Sequence, residues 1–109
     1  MESIIKEVWT ELGPGHSESI YHNALEVNLR QNGIQYETER IIPVTFKGHV
    51  IGNMRADIIL SDRVLELKSI VSLSEKDRTQ IKNYMKLLGL KLGILVNFGP
   101  KLQIENISL

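Results

Sequence analysis

No cysteine occurs among the 109 residues, which removes a disulfide framework, a thiolate zinc site and a cysteine nucleophile from consideration. The chain has no surplus of charge either, since 13 Lys and Arg balance 13 Asp and Glu. A neutral chain has no bulk attraction to a polyanion, and this weighs against a nucleic-acid function because phosphate binding usually leaves a basic footprint. No apolar run approaches the roughly 18 residues that cross a bilayer. The opening Met1-Glu2-Ser3-Ile4-Ile5-Lys6-Glu7 is amphipathic and acidic, unlike a secretory or transit peptide, so an intracellular (cytoplasmic) location without membrane contact is expected. Internal repeats and low-complexity segments are also missing. What is present, 42% hydrophobic and 24% charged residues, has the balance of a folded globular domain. A chain of this size has room for a single core, so one domain over 1–109 with one site is expected.

Periodicity orders the elements. Ile4, Ile5, Val8, Trp9 and Leu12 form the stripe of a first helix that Gly13-Pro14-Gly15 ends. Ser17 is placed to cap a second helix to about Gln31, with Gly33 as its stop. Tyr36 to Phe46 and His49 to Leu60 read as strands around a Lys47-Gly48 turn, with Pro43 marking an edge or a bulge, and Arg63 to Lys68 reads as a third. Ile81, Tyr84, Met85 and Leu88 recur at helical spacing behind a cap near Ser74, and Gly89 stops that helix. Leu92 to Phe98 is apolar throughout, as at a sheet centre, and Leu102, Ile104 and Ile107 suggest a weaker last strand. The spacing therefore predicts an α/β fold, a mixed sheet with helices packed on it, in the order ααβββαββ.

The most informative stretch is Met54 to Lys68, where three charged groups stand in what otherwise reads as buried strand. Ser61-Asp62 has hairpin spacing and turn chemistry. A two-residue loop makes Leu60 face Arg63 and places Asp57 opposite Glu66, while period-two alternation puts Glu66 and Lys68 on one face. A register shifted by two would pair Asp57 with Lys68 and keep all three groups on that face. Carboxylates directly opposite each other lie about 5 Å apart and repel. A hard divalent cation would reconcile them.

Asp57, Glu66 and Lys68 have the pattern of the PD-(D/E)XK nuclease superfamily. With Gly15-His16-Ser17-Glu18-Ser19-Ile20-Tyr21, Ala24-Leu25, Ile42 to Val44, Phe46-Lys47-Gly48, Gln80 with Asn83-Tyr84, and Gly93 to Gly99, the chain resembles the small GxxExxY family of that superfamily. The resemblance implies a restriction-endonuclease-like fold and a Mg²⁺- or Mn²⁺-dependent nuclease. Asp57, Glu66 and the Leu67 carbonyl would ligate the metal, helped by Glu18, the helix-borne acid of RecB-like and phage-exonuclease-like members. Lys68 would orient the attacking water. Gln80, Tyr84 and Tyr21 would position the scissile strand. Glu105-Asn106 stands where such relatives tend to be basic. No separate DNA-reading domain is expected within a single 109-residue domain, which argues against sequence-specific recognition.

Simpler readings stand beside these. Glu66 and Lys68 suit a solvated strand face, Glu18 a helix N-terminus and Tyr84 a core position. Gly13-Pro14-Gly15 lacks the context of a phosphate loop, and His16, Glu18 and His22 do not converge as zinc ligands would. Lys82 and Lys86, with Lys76, Arg78 and Lys91, make the third helix basic and the best local candidate for phosphate contact. The expectation is thus a metal-dependent nuclease acting on nucleic acid, DNA ahead of RNA, with a homodimer as a second partner left open. The alternatives are a non-catalytic nucleic-acid-binding or protein-assembly module on the same fold, and a phosphoesterase for a small ligand.

Overall fold

Ile4, Ile5 and Val8 are all buried, and they make one face of α1 (Glu2–Leu12). This face packs against Tyr21, Leu25 and Leu29 of α2 (Glu18–Gln31). The Asn28 amide of α2 donates to the Ile4 carbonyl at 2.9 Å and locks the two helices together. A computed structural model describes residues 1–109, in which these helices are followed by β1 (Glu37–Phe46), β2 (His49–Ile59), β3 (Arg63–Lys68), α3 (Glu75–Leu88), β4 (Leu92–Phe98) and β5 (Leu102–Ser108). This is the expected order. The strands form one sheet in sequence order, antiparallel except for β3 and β4. That parallel pair needs a crossover, which α3 supplies. The middle strand is β3. β4, expected at the centre, stands one place off it and is nevertheless buried from Gly93 to Phe98.

The sheet separates two cores. On one face α1 and α2 cover Ile58, Leu65, Leu67, Ile94, Val96 and Phe98. On the other, Ile81, Tyr84 and Met85 of α3 cover Ile59, Val64 and Leu95. Alternation along β3 therefore sends Leu65 and Leu67 to the first core and leaves Val64, Glu66 and Lys68 on the α3 side. Gly93 lets α3 sit close to β4, since a Cβ there would lie 2.9 Å from the Met85 sulfur.

β1 and β2 continue well past β3. They pair out to Phe46 and His49, whereas β3 meets β2 only at Ile58 and Ile59. Lys47 and Gly48, at φ 50° and 79°, close the hairpin in the two-residue form that needs two positive φ angles. The register shifts between Val44 and Thr45, next to Pro43 on what is the sheet's edge strand.

Candidate active site

The hairpin register is the one a two-residue loop dictates. Ile58 pairs with Leu65 and Ile59 with Val64, and the Leu60 amide donates to the Arg63 carbonyl at 2.8 Å. Asp57 therefore lies opposite Glu66, and the shifted register is excluded. Beyond Ile58 the ladder gives way to side chains. The Leu67 amide donates to Asp57 Oδ2 at 2.8 Å, and the Asp57 amide approaches Glu66 Oε1 at 3.4 Å.

Glu66 is only 3% exposed. Burial, reinforced by the Asp57 carboxyl, pushes its own carboxyl up to about 9. Tyr84 packs over this pair from α3 and is pushed up to about 12, by burial first and then by the charges of Glu66 and Asp57. Lys68 reaches the same place through an ordered chain: its Nζ donates to Gln80 Oε1 at 2.9 Å, and Gln80 Nε2 donates to the Tyr84 hydroxyl at 3.2 Å. Asp77 Oδ1 lies 4.0 Å from Lys68 Nζ, while its Oδ2 accepts from the Ser74 amide and hydroxyl at 2.9 and 3.1 Å. The first turn of α3 is thus fixed by the residue that flanks the lysine. At the end of β3, the fully buried Asn97 exchanges two 3.0 Å bonds with the backbone of Ile70, which holds the chain just past Lys68.

Glu18 approaches from the α2 layer. It lines an open cleft of about 400 Å³ with His22, Glu26, Thr38, Glu39 and Asp57, and no hydrophobic residue faces that space. Desolvation and the Asp57 charge raise the Glu18 carboxyl, against the opposing pull of Lys68 and His22. A break in β2 explains how side chains from both helical layers meet. Ala56 packs in the α3-side core and Ile58, two residues on, in the opposite one, so strict alternation fails at Asp57. The residue across from it in β1, Glu39, has φ 52° and is skipped in the ladder. An irregularity of this kind re-aims a side chain, and here it leaves Asp57 at the junction of the two faces. The Thr38 hydroxyl donates to the Asp57 carbonyl at 3.2 Å and lies 2.9 Å from His22 Nε2, itself 3.0 Å from Glu26.

Asp57, Glu66, Lys68, Gln80 and Tyr84 are therefore brought together, with Glu18 at the margin. Three expected residues are not. Tyr21 is fully buried and stacks on Phe98 with centroids 4.5 Å apart. Its hydroxyl donates to the Gly13 carbonyl at 2.6 Å and accepts from the His16 amide at 3.2 Å, so it shapes the α1–α2 loop instead of positioning substrate. Lys82 and Lys86 are exposed but point about 200° around α3 from Gln80 and Tyr84, away from the carboxylates. Arg78 is held by Glu105 at 2.7 and 2.8 Å and by Glu75 at 2.7 Å. Glu105, out of place as a phosphate contact, is the anchor of α3 on β5. Asp77, Thr38 and Asn97 were missed. The spacing of Ser74 and Asp77 carried a capping signal that locates Asp77, but nothing local marks the other two.

A family model of the PD-(D/E)XK nuclease superfamily matches residues 1–107. The chain belongs to that superfamily. Among solved structures, the crystal structure of SSO0001 resembles it at 28% identity and a TM-score of 0.65, over 83% of this chain and 50% of that one. The chain thus spans half the length of that relative. No curated protein matches. PD-(D/E)XK nucleases typically use Mg²⁺ or a similar divalent ion, and the donor chemistry here suits one. Two hard carboxyl oxygens face each other, one of them so disfavoured as an anion that it keeps its proton well above the ordinary carboxylate range. No group of three or more His, Cys, Asp or Glu side chains is gathered at coordinating distance, so Glu18 stands near the pair without completing a triad.

Proposed function

We propose that this chain is an intracellular nuclease that hydrolyses phosphodiester bonds, DNA ahead of RNA, with Mg²⁺ or Mn²⁺ as cofactor. The observation that carries the reading is the convergence of Asp57 and Glu66 with a lysine fixed on the same face by Gln80. Asp57 and Glu66 would hold the ion, with the Leu67 carbonyl and Glu18 alongside. When bound, the ion polarises a phosphoryl oxygen and makes water a competent nucleophile near neutral pH.

The chain's own groups account for the rest. Lys68, a compact charge, stabilises the negative charge that develops on the attacked phosphate and orients the water. Gln80 and Asp77 keep its ammonium from swinging into solvent. Tyr84 shields Glu66 from water and, with Gln80, presents polar hydrogens toward the scissile strand. The open cleft between Glu18 and Asp57 admits solvent to the site.

Thermal melts of the wild type and Asp57→Asn, with and without Mn²⁺, test the reading. Asparagine keeps an acceptor for the Leu67 amide and removes the Asp57 charge that helps force a proton onto buried Glu66, so the metal-free variant should melt higher than the wild type. At about ten times the dissociation constant, Mn²⁺ should stabilise the wild type by roughly 1.4 kcal/mol, about 5 to 10 °C for a domain of this size, and hardly move the variant. A wild type indifferent to metal would return the chain to the alternative, a non-catalytic binding or assembly module.

A further inference from the structure

The balanced charges are not evenly spread. Residues 1–39 carry seven acidic and two basic side chains, and residues 40–109 carry six acidic and eleven basic. Within the second part, Arg40 to Ala56 contains Arg40, Lys47, His49 and Arg55 and no acid. The outer end of that stretch, Pro43 to Asn53, is the part of the sheet that stands free, because β1 and β2 pair with each other as far as Phe46 and His49, β3 meets β2 only at Ile58 and Ile59, and Ile42 and Ala56 mark the limit of the α3-side core. The molecule measures 47 × 31 × 23 Å. Ile41, Phe46, Val50 and Ile51 are exposed by 57, 50, 64 and 66%, an unusual concentration of apolar surface with no core to serve. Arg40 is tied to Glu37 at 2.9 Å. Lys47 lies 5.5 Å over the Phe46 ring, and Lys47 and Arg55 are left without acidic partners.

We propose that this two-stranded ribbon docks in the major groove of duplex DNA beside the phosphodiester held at Asp57, so that the duplex flank is part of the substrate. The proposal rests on the nuclease reading and narrows it. The major groove of B-form DNA, about 12 Å wide, admits a two-stranded β-ribbon. The deep, narrow major groove of duplex RNA does not admit side chains. Lys47 and Arg55 meet phosphates at the groove walls, and the apolar tip meets thymine methyl groups and sugar edges. The eight residue-to-residue steps from His49 to Asp57 span about 27 Å. At 3.4 Å per base pair the tip therefore lies about eight base pairs from the cut.

The test compares wild type, Lys47→Glu/Arg55→Glu and Phe46→Ala on DNA duplexes of about 8 and about 16 base pairs and on matching RNA duplexes, by anisotropy in chelator and by cleavage in Mn²⁺. All three substituted side chains are exposed, and the melting temperature confirms that each variant is folded. The wild type should bind the longer DNA about tenfold more tightly than the shorter, with no such gain on RNA. The double variant should lose that gain and about two units of salt slope, at roughly 0.9 per phosphate contact. Phe46→Ala should lose part of the gain with its salt slope unchanged. An equal length dependence in wild type and double variant, or an equal gain on RNA, overturns the proposal. So does DNA binding that is unaltered while sedimentation shows the double variant losing self-association, which would make the ribbon a contact with a second copy. If nothing is cut but the length gain persists and needs Lys47 and Arg55, the nuclease reading falls and the ribbon stands.

Discussion

Glu66 is the residue at which the fold bears an electrostatic burden without structural return. A carboxyl 3% exposed beside another carboxyl holds its proton to about 9, against 4.5 in the ordinary state. Between those values Glu66 holds a proton in the folded chain that it gives up in the unfolded one, so its contribution to the stability of the metal-free protein is greatest below the ordinary value. This contribution falls as pH rises, by up to about 1.4 kcal/mol per pH unit. The melting temperature of chelated protein should fall across about pH 5 to 9, and Glu66→Gln should flatten most of that fall. Saturating Mn²⁺, which favours the ionised carboxylates, should flatten it in the wild type. A fall that is equally steep in Glu66→Gln would mean that this carboxyl is not the group being titrated. The pairing of Asp57 with Glu66 was legible in the sequence because a two-residue loop fixes the register. The role of Tyr21 was not, because its spacing from Glu18 looks the same whether its hydroxyl meets substrate or, as here, the Gly13 carbonyl.

Among the elements, α3 both closes a core and sets the lysine. Asp77 serves both tasks, accepting from Ser74 at the helix start and flanking Lys68. Asp77→Ala should cost about 1 kcal/mol in stability and should also lower kcat with little change in KM, because Lys68 would keep Gln80 as its only tether. A loss of stability with kcat intact would leave Asp77 as a cap alone. The apolar periods of α1, α3 and β4 located those elements within a residue or so, since each buries a face that its spacing announces. The irregularity at Asp57 had no such signal: Glu39 at φ 52° is a demand of tertiary packing on an ordinary residue. The outward aim of Lys82 and Lys86 was available, because two residues along a helix is about 200° of rotation from Gln80 and Tyr84.

For the whole molecule, the neutral sum of charges conceals an acidic stretch over residues 1–39 and a basic remainder, so zero net charge does not weigh against a polyanionic substrate. No helix is long and apolar enough to cross a membrane. In the proposed reaction Lys68 acts on a phosphodiester beside a metal held by Asp57 and Glu66. Cleavage of duplex DNA in Mn²⁺ by wild type and Lys68→Ala, each paired with a melt that reports metal binding, tests this most directly. The wild type should cut and should stop in chelator. Lys68→Ala should lose at least about 10²-fold in turnover while keeping the Mn²⁺-induced rise in melting temperature. A Lys68→Ala variant that cuts at the wild-type rate, or a wild type that cuts equally well in chelator, would contradict the account.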